Sequence, residues 1–204
     1  MWNFYEWIGD LDGNFFSDDP ATKTRNAYDV IINADIALAL EKTIAIYGMI
    51  NRHEDGDKLL EIKEKINKAI FESFFDKEVE LFKTYSDKEG YSTLANSLCI
   101  LSGACPNEYM QKVAEKIANK DSLLLNNTLS MNVFKFDALL KADREKYGDY
   151  ILNEIDQTYS KMLDQGATSF WETELGEADF DNAGSLCHGW SAIPIYYYTK
   201  LKND

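Results

Sequence analysis

Cysteine, basic charge and long apolar runs are all in short supply in this 204-residue chain, and each shortage removes a class of protein. The three cysteines, Cys99, Cys105 and Cys187, are odd in number and have neither C-x-x-C nor zinc-finger spacing, which excludes a disulfide framework and a zinc module. They read as reduced, mostly buried thiols. No apolar run approaches the ~18 residues of a transmembrane helix. The stretch from Met1 to Trp7 lacks the basic and apolar regions of a signal peptide, so a reducing cytoplasm is the expected compartment. Lys and Arg number 21 against 35 Asp and Glu, a net charge of −14 without a basic patch. Nucleic acids and anionic membrane surfaces, whose phosphates need cationic side chains, are thereby excluded as partners. Also missing are G-x-G-x-x-G, a P-loop and G-x-S-x-G, which leaves nucleotide and serine-hydrolase chemistry unsupported. Two acidic stretches, starting at Asp10 and Asp179, have calcium-loop composition but the wrong spacing. The first has Gly13 at its fourth position, and the second has Trp190 where a twelfth-position carboxylate is required. No metal and no cofactor is expected.

What is present is apolar and aromatic: 45% of residues are hydrophobic and 13% are Phe, Trp or Tyr. That suffices for a sizeable core, and the length predicts a single domain over residues 1–204. The periodicity is helical, and it alternates between two kinds of helix. Residues 26–49 are apolar on nearly every side, which predicts a helix surrounded by protein, with Gly48 near its end. Residues 55–75 keep one apolar stripe, Leu59, Ile62, Ile66, Ile70 and Phe74, with Lys and Glu elsewhere, as a solvent-facing helix does. Residues 92–103 are again broadly apolar and stop at Gly103, and residues 107–119 after Pro106 carry one stripe. Residues 128–141 read as buried, residues 144–165 as single-faced, and residues 185–201 as a last apolar, aromatic helix that Pro194 kinks or delays. Between them, residues 77–85 alternate like a short strand, and Asp18-Asp19-Pro20 reads as a turn before a helix start.

Seven helices therefore run inner, outer, inner, outer, inner, outer, inner. The fold class predicted is all-α, an α/α toroid in which one helix of each hairpin lines the core and its partner faces water. The inner helices start near 26, 91, 128 and 185, too irregularly for TPR or HEAT arrays. The long connections at 76–90 and 166–184 mark candidate functional loops.

The richest chemistry lies near the C-terminus, in Gly166-Ala-Thr-Ser-Phe-Trp-Glu172 and Ser185-Leu-Cys-His-Gly-Trp-Ser191. A carboxylate directly after a tryptophan, at the mouth of an inner helix bearing His188 and Trp190, has the composition of a carbohydrate site. Aromatic faces stack on sugar rings, while carboxylate and imidazole bond hydroxyls. The competing reading is a solvated Glu beside core tryptophans, and composition by itself favours that one.

These two stretches, with Pro194 following, resemble the C-terminal catalytic signature of bacterial α-L-rhamnosidases, inverting glycosidases built on an (α/α)6 toroid. Phe4-Tyr5-Glu6-Trp7 is similar, more weakly, to the family's Phe-x-Asp-Trp segment, with Glu6 where Asp is usual. The resemblance implies a rhamnose-containing glycoside as substrate, Glu172 as the general base that activates water, and His188 in the sugar subsite. Trp7, Trp171 and Trp190 would wall the pocket. It also implies an incomplete (α/α)6-type toroid, about seven helices of twelve, because the family's general acid lies in an Asp-Glu-Arg-type motif upstream of Phe-x-Asp-Trp. Asp143-Arg144-Glu145 is superficially similar but opens an outer helix. An inverting mechanism needs two carboxyl groups ~6.5–9.5 Å apart, and Glu6 and Asp10 are the nearby candidates for a second one. A truncated ring would expose apolar edges on the helices at 26–49 and 185–201, predicting pairing with a second copy or with a separate N-terminal fragment. Without an acid, a non-catalytic carbohydrate-binding or interaction module is the alternative, and a plain scaffold the third reading.

Overall fold

The first helix begins where Asp29 stops the chain from being extended: its carboxylate accepts the Ile32 N–H at 2.8 Å, satisfying a helix-end donor. A computed structural model describes residues 4–15, 17–19 and 27–202 of the chain. Helix α1 spans Val30–Met49 and turns back through Asn51 into α2, His53–Phe74. Phe75–Asp76 (β1) pairs antiparallel with Leu81–Phe82 (β2), Phe75 opposite Phe82, so the strand expected within 77–85 is present. Tyr91–Ser92 (β3) then leads into α3, Thr93–Ser102. Ser92 caps α3 by accepting the Ala95 N–H, and Gly103 ends it at φ 85°, a left-handed conformation that favours glycine. Pro106 precedes α4, Asn107–Ala118, and Leu124–Leu125 (β4) returns to pair parallel with β3. Helix α5 is Asn132–Ala142, and α6, Arg144–Asp164, is capped by Asp143. The chain closes with α7, Pro194–Lys202.

Among the described residues the architecture is all-α, with two two-residue sheet pairs as clasps. Helix α3 sits between α1 and α5, while α2, α4 and α6 pack as outer partners of those three. Its residues from Thr93 to Ile100 are all buried, and each fully buried Leu or Ile there contributes roughly 1.5–3 kcal/mol. Helix α7 docks on α5 edge-on, Phe136 against Tyr197 at 5.1 Å, and the Tyr197 hydroxyl donates to the Val133 carbonyl at 2.9 Å. The alternation of inner and outer helices read from the apolar faces is the alternation observed. No helix among the described residues is long and apolar enough to cross a membrane.

Five expectations change in detail. Helix α1 is not surrounded: only Val30, Ile31, Ala34 and Ala37 are buried, while Ile32, Ile36, Ile46, Met49 and Ile50 are exposed, because α2 and α3 cover one side alone. It starts at Val30, not 26, and Gly48 lies inside it. Asn26 and the helix start expected after Pro20 lie outside the described residues. Helix α5 begins at Asn132, because Thr128 and Ser130 bond each other's hydroxyls and hold residues 128–131 in a turn. The helix expected from 185 is a 3-10 turn at Gly189–Ser191 followed by α7, whose first residue is Pro194. Cys187 is exposed rather than buried, since it sits on that open approach, whereas Cys99 and Cys105 are buried.

Candidate active site

Two extended segments lie side by side after α6. The His188 N–H donates to the Phe170 carbonyl at 2.7 Å, and the Glu172 N–H donates to the Ser185 carbonyl at 2.9 Å. This pairing lays residues 185–188 along residues 170–172 and brings Glu172 next to His188. The Ser185 N–H, in return, donates to Glu172 Oε2 at 3.2 Å, fixing one oxygen of the carboxylate. Oε1 lies 3.8 Å from His188 Nδ1, within ionic reach but beyond a hydrogen bond. His188 stacks on Trp190 with ring centroids 5.5 Å apart, and Trp190 is 70% exposed. The intervening loop is held shut by packing on Trp171: Gly176, at φ 58°, lies so close that a β-carbon would fall 2.5 Å from the indole.

The N-terminal segment forms the opposite wall. The Tyr5 N–H donates to the Leu11 carbonyl at 2.8 Å, Leu11 is fully buried in the main core, and the Tyr85 hydroxyl donates to the Asp10 carbonyl at 2.6 Å. Trp7 meets Phe4 and Phe15 edge-on, and also Phe180 of the 166–184 loop at 6.0 Å. Glu6 is 2% exposed; its Oε2 accepts the Thr128 N–H at 2.7 Å and the Thr128 hydroxyl at 2.8 Å. Burial raises its pKa above the ordinary carboxylate value, against the pull of the two Thr128 donors.

Phe4, Tyr5, Glu6, Trp7, Thr128, Ser130, Met131, Glu172, Thr173, His188 and Trp190 thus line one cleft. Glu6 Oε1, Thr173 Oγ1 and His188 Nδ1 are all buried without a hydrogen-bond partner among the described residues. Unsatisfied buried polar atoms are costly, which makes three of them around one small cleft unusual. The free volume is about 30 Å³, well below the roughly 300–1,000 Å³ of small-molecule sites. A roomier cavity of about 370 Å³ between α6 and α7 is mainly apolar, lined by Ile155, Met162, Phe170 and Pro194, and gathers no carboxylate–imidazole pair.

A profile of the family described as the bacterial alpha-L-rhamnosidase 6 hairpin glycosidase domain matches residues 2–201. The chain belongs to that family. Solved structures agree on the fold of this rhamnosidase-family domain. A rhamnosidase from Klebsiella oxytoca, with rhamnose bound, superposes with a TM-score of 0.71 at 16% identity, over 86% of this chain and 34% of that one. The family GH78 rhamnosidase of Bacillus sp. GL1 gives 0.73 at 22% identity, over 85% of this chain and 19% of that one. The chain therefore spans about a third and a fifth of the lengths of these two structures. No curated protein matches.

Of the residues singled out by sequence in this rhamnosidase-family domain, Glu172, Trp7, His188 and Trp190 meet at the cleft, and Trp171 does not. Trp171 is 7% exposed and packs with Leu129 and Met162 in a satellite core, so its side chain supports Glu172 from behind. Asp10 is exposed and paired with Lys88, which leaves Glu6 as the buried carboxyl of the two candidates. Glu174 pairs with Lys161 at 3.2 Å on the surface. Thr128, Ser130 and Thr173 were not legible as site residues. A hydroxyl pair just before an apolar helix was the available signal, and it read as the helix itself.

Proposed function

We propose that the Glu172 cleft is the substrate site of an α-L-rhamnosidase-like glycoside hydrolase acting on rhamnose-containing glycosides by inversion. Glu172, with Oε2 tethered by Ser185, acts as general base and takes a proton from water at Oε1. His188 bonds sugar hydroxyls, and Trp7 and Trp190 pack against the ring. The observation that carries this reading is the convergence of Glu172, His188, Trp190 and Trp7 on one cleft holding three unpartnered polar atoms. Such a set suits a ligand rich in hydroxyls, each of which both donates and accepts.

The chain acts as one domain, and the apolar outer face of α1 pairs with a second copy.

Hydrolysis of a dinitrophenyl α-L-rhamnoside tests the assignment, because that leaving group departs without protonation. The wild-type chain should turn it over, and Glu172→Gln should lower kcat about 10²–10⁴-fold, the scale of a lost general base. A folded wild-type chain without turnover would remove the hydrolase reading in favour of a carbohydrate-binding module, for which the exposed Trp190 platform suffices.

A further inference from the structure

Helix α1 carries two apolar faces of different kinds. Its core face, Val30, Ile31, Ala34 and Ala37, is buried against α2 and α3. On the opposite side Ile32, Ile36, Ala39, Thr43, Ile46 and, at the C-cap, Ile50 recur at spacings of four, three, four, three and four. That is the seven-residue repeat of a coiled-coil seam, narrower than the stripe with which a helix meets a globular core. None of the six is buried. The seam's single hydroxyl is already satisfied, because Thr43 donates to the Ala39 carbonyl at 2.9 Å.

Read from either end, the seam has the same order of sizes: two isoleucines, two smaller residues, two isoleucines. It therefore matches a second copy of itself laid antiparallel, and a two-fold pairing uses the same patch on both subunits. Ile32 then meets the second copy's Ile50, Ile36 meets its Ile46, and Ala39 meets its Thr43, each contact occurring twice. The relief of the face favours that direction over a parallel one. Beside the N-terminal half of α1 lies a mainly apolar groove of about 580 Å³, between Tyr28 and the Ile62 and Ile66 side chains of α2. At the C-terminal half Ile46 and Ile50 stand out, each 55% exposed. Antiparallel pairing sets the projecting half of each copy against the hollow half of the other, whereas parallel pairing sets hollow against hollow. Lys42, on the flank of the seam, brings its own counter-ion, Glu41, at 3.3 Å.

The size of the face agrees. Helix α1 is about 30 Å long, and α2 alongside widens the face to roughly 20 Å. The resulting ~600 Å² approaches the ~800 Å² that each partner of a standard interface buries. Helix α7, at the other end of the helix series, is only about 14 Å long and cannot cover it.

We infer that two copies of this chain pair antiparallel through the Ile32–Ile50 seam of α1, about a two-fold axis passing between Ala39 and Thr43. The inference rests on the reading that this face takes a second copy, and adds the orientation and register.

The test is disulfide trapping after air oxidation, in a Cys187→Ser background that removes the exposed native thiol. Ile36→Cys and Ile46→Cys are purified separately, checked for native helicity by circular dichroism, and oxidised alone and as an equal mixture. The mixture should give a cross-linked dimer of one chain of each kind, amounting to more than about half of the protein, because facing positions come within disulfide reach. Each variant alone should give almost none, since like positions then lie about 15 Å apart along the axis. Ala39→Cys mixed with Thr43→Cys repeats the experiment with every isoleucine in place, should the first pair weaken association. Cross-linking of Ile36→Cys to itself would overturn the antiparallel orientation and leave pairing with a second copy standing. Failure of both mixtures to cross-link, while the wild type associates in sedimentation velocity, would overturn the register in the same way. A wild-type chain that stays monomeric at high concentration would overturn both readings.

Discussion

A carboxyl group taken out of water is either given a cation or held neutral, and two glutamates of this chain illustrate the two solutions. Glu154 on α6 is half-buried, which would raise its pKa, but Lys135 on α5 donates to its two oxygens at 2.7 and 2.8 Å and the balance falls below the ordinary value. Its stabilisation is therefore present above about pH 4.5, the unfolded value, and is lost as the pH falls through the lower folded one. Glu6 has no cation beside it among the described residues and is shifted upward by burial, so the sign reverses. Its contribution is complete below pH 4.5 and declines as the pH rises through the folded value. Glu6→Gln should accordingly flatten the alkaline side of the Tm-against-pH curve, measured by circular dichroism. Glu154→Gln should cost about 3–5 kcal/mol in urea unfolding at neutral pH, because it strands the Lys135 ammonium, and less in acid. Little of this was legible from sequence: Glu6 stood out only beside Trp7, and its hydrogen-bond partner, Thr128, lies 122 residues away.

At the scale of elements, the joints between helices depend on side chains that finish hydrogen bonds the short strands leave open. Asn96, fully buried on α3, accepts the Phe82 N–H at 2.8 Å and donates to the Phe82 carbonyl at 3.1 Å, acting as a side-chain neighbour for β2. Asn96→Ala should destabilise the chain by about 2–4 kcal/mol, since it strands two buried backbone groups at once, and chemical denaturation would measure it. Helix periodicity, caps and stops were readable because they are local: Ser92 before Thr93, Gly103 after Ser102, Asp143 before Arg144. The starts of α5 and α7 were not. Thr128 and Ser130 prefer each other's hydroxyls to helix propagation, and Pro194, with no N–H to give, is comfortable only in a first turn.

The whole molecule presents apolar surface at both ends of its helix series. On α1 and its C-cap, Ile32, Ile36, Ile46 and Ile50 fall on one face at spacings of four, ten and four, and all are between 44% and 55% exposed. On α7, Ile195 is 76% exposed. Aligned apolar faces of this kind drive association. Sedimentation velocity should show a weight-average mass that climbs with concentration, and Ile32→Lys with Ile36→Lys should suppress the climb while leaving helicity unchanged. A monodisperse monomer at high concentration would refute the pairing.

Sequence alone determined that the chain is a series of helices alternating inner and outer, because a helix's apolar stripe is written into its own 3.6-residue period, but not where α1, α5 and α7 begin. It also marked Glu172, His188 and Trp190, whose neighbours in the chain carry a recognisable pattern. Only the tertiary structure decided that Trp171 turns away into a satellite core, that Asp10 is a surface ion-pair partner, and that Glu6 faces Glu172's cleft. Burial and hydrogen-bond satisfaction are properties of what packs alongside a residue, and for Glu6 those neighbours come from distant parts of the chain.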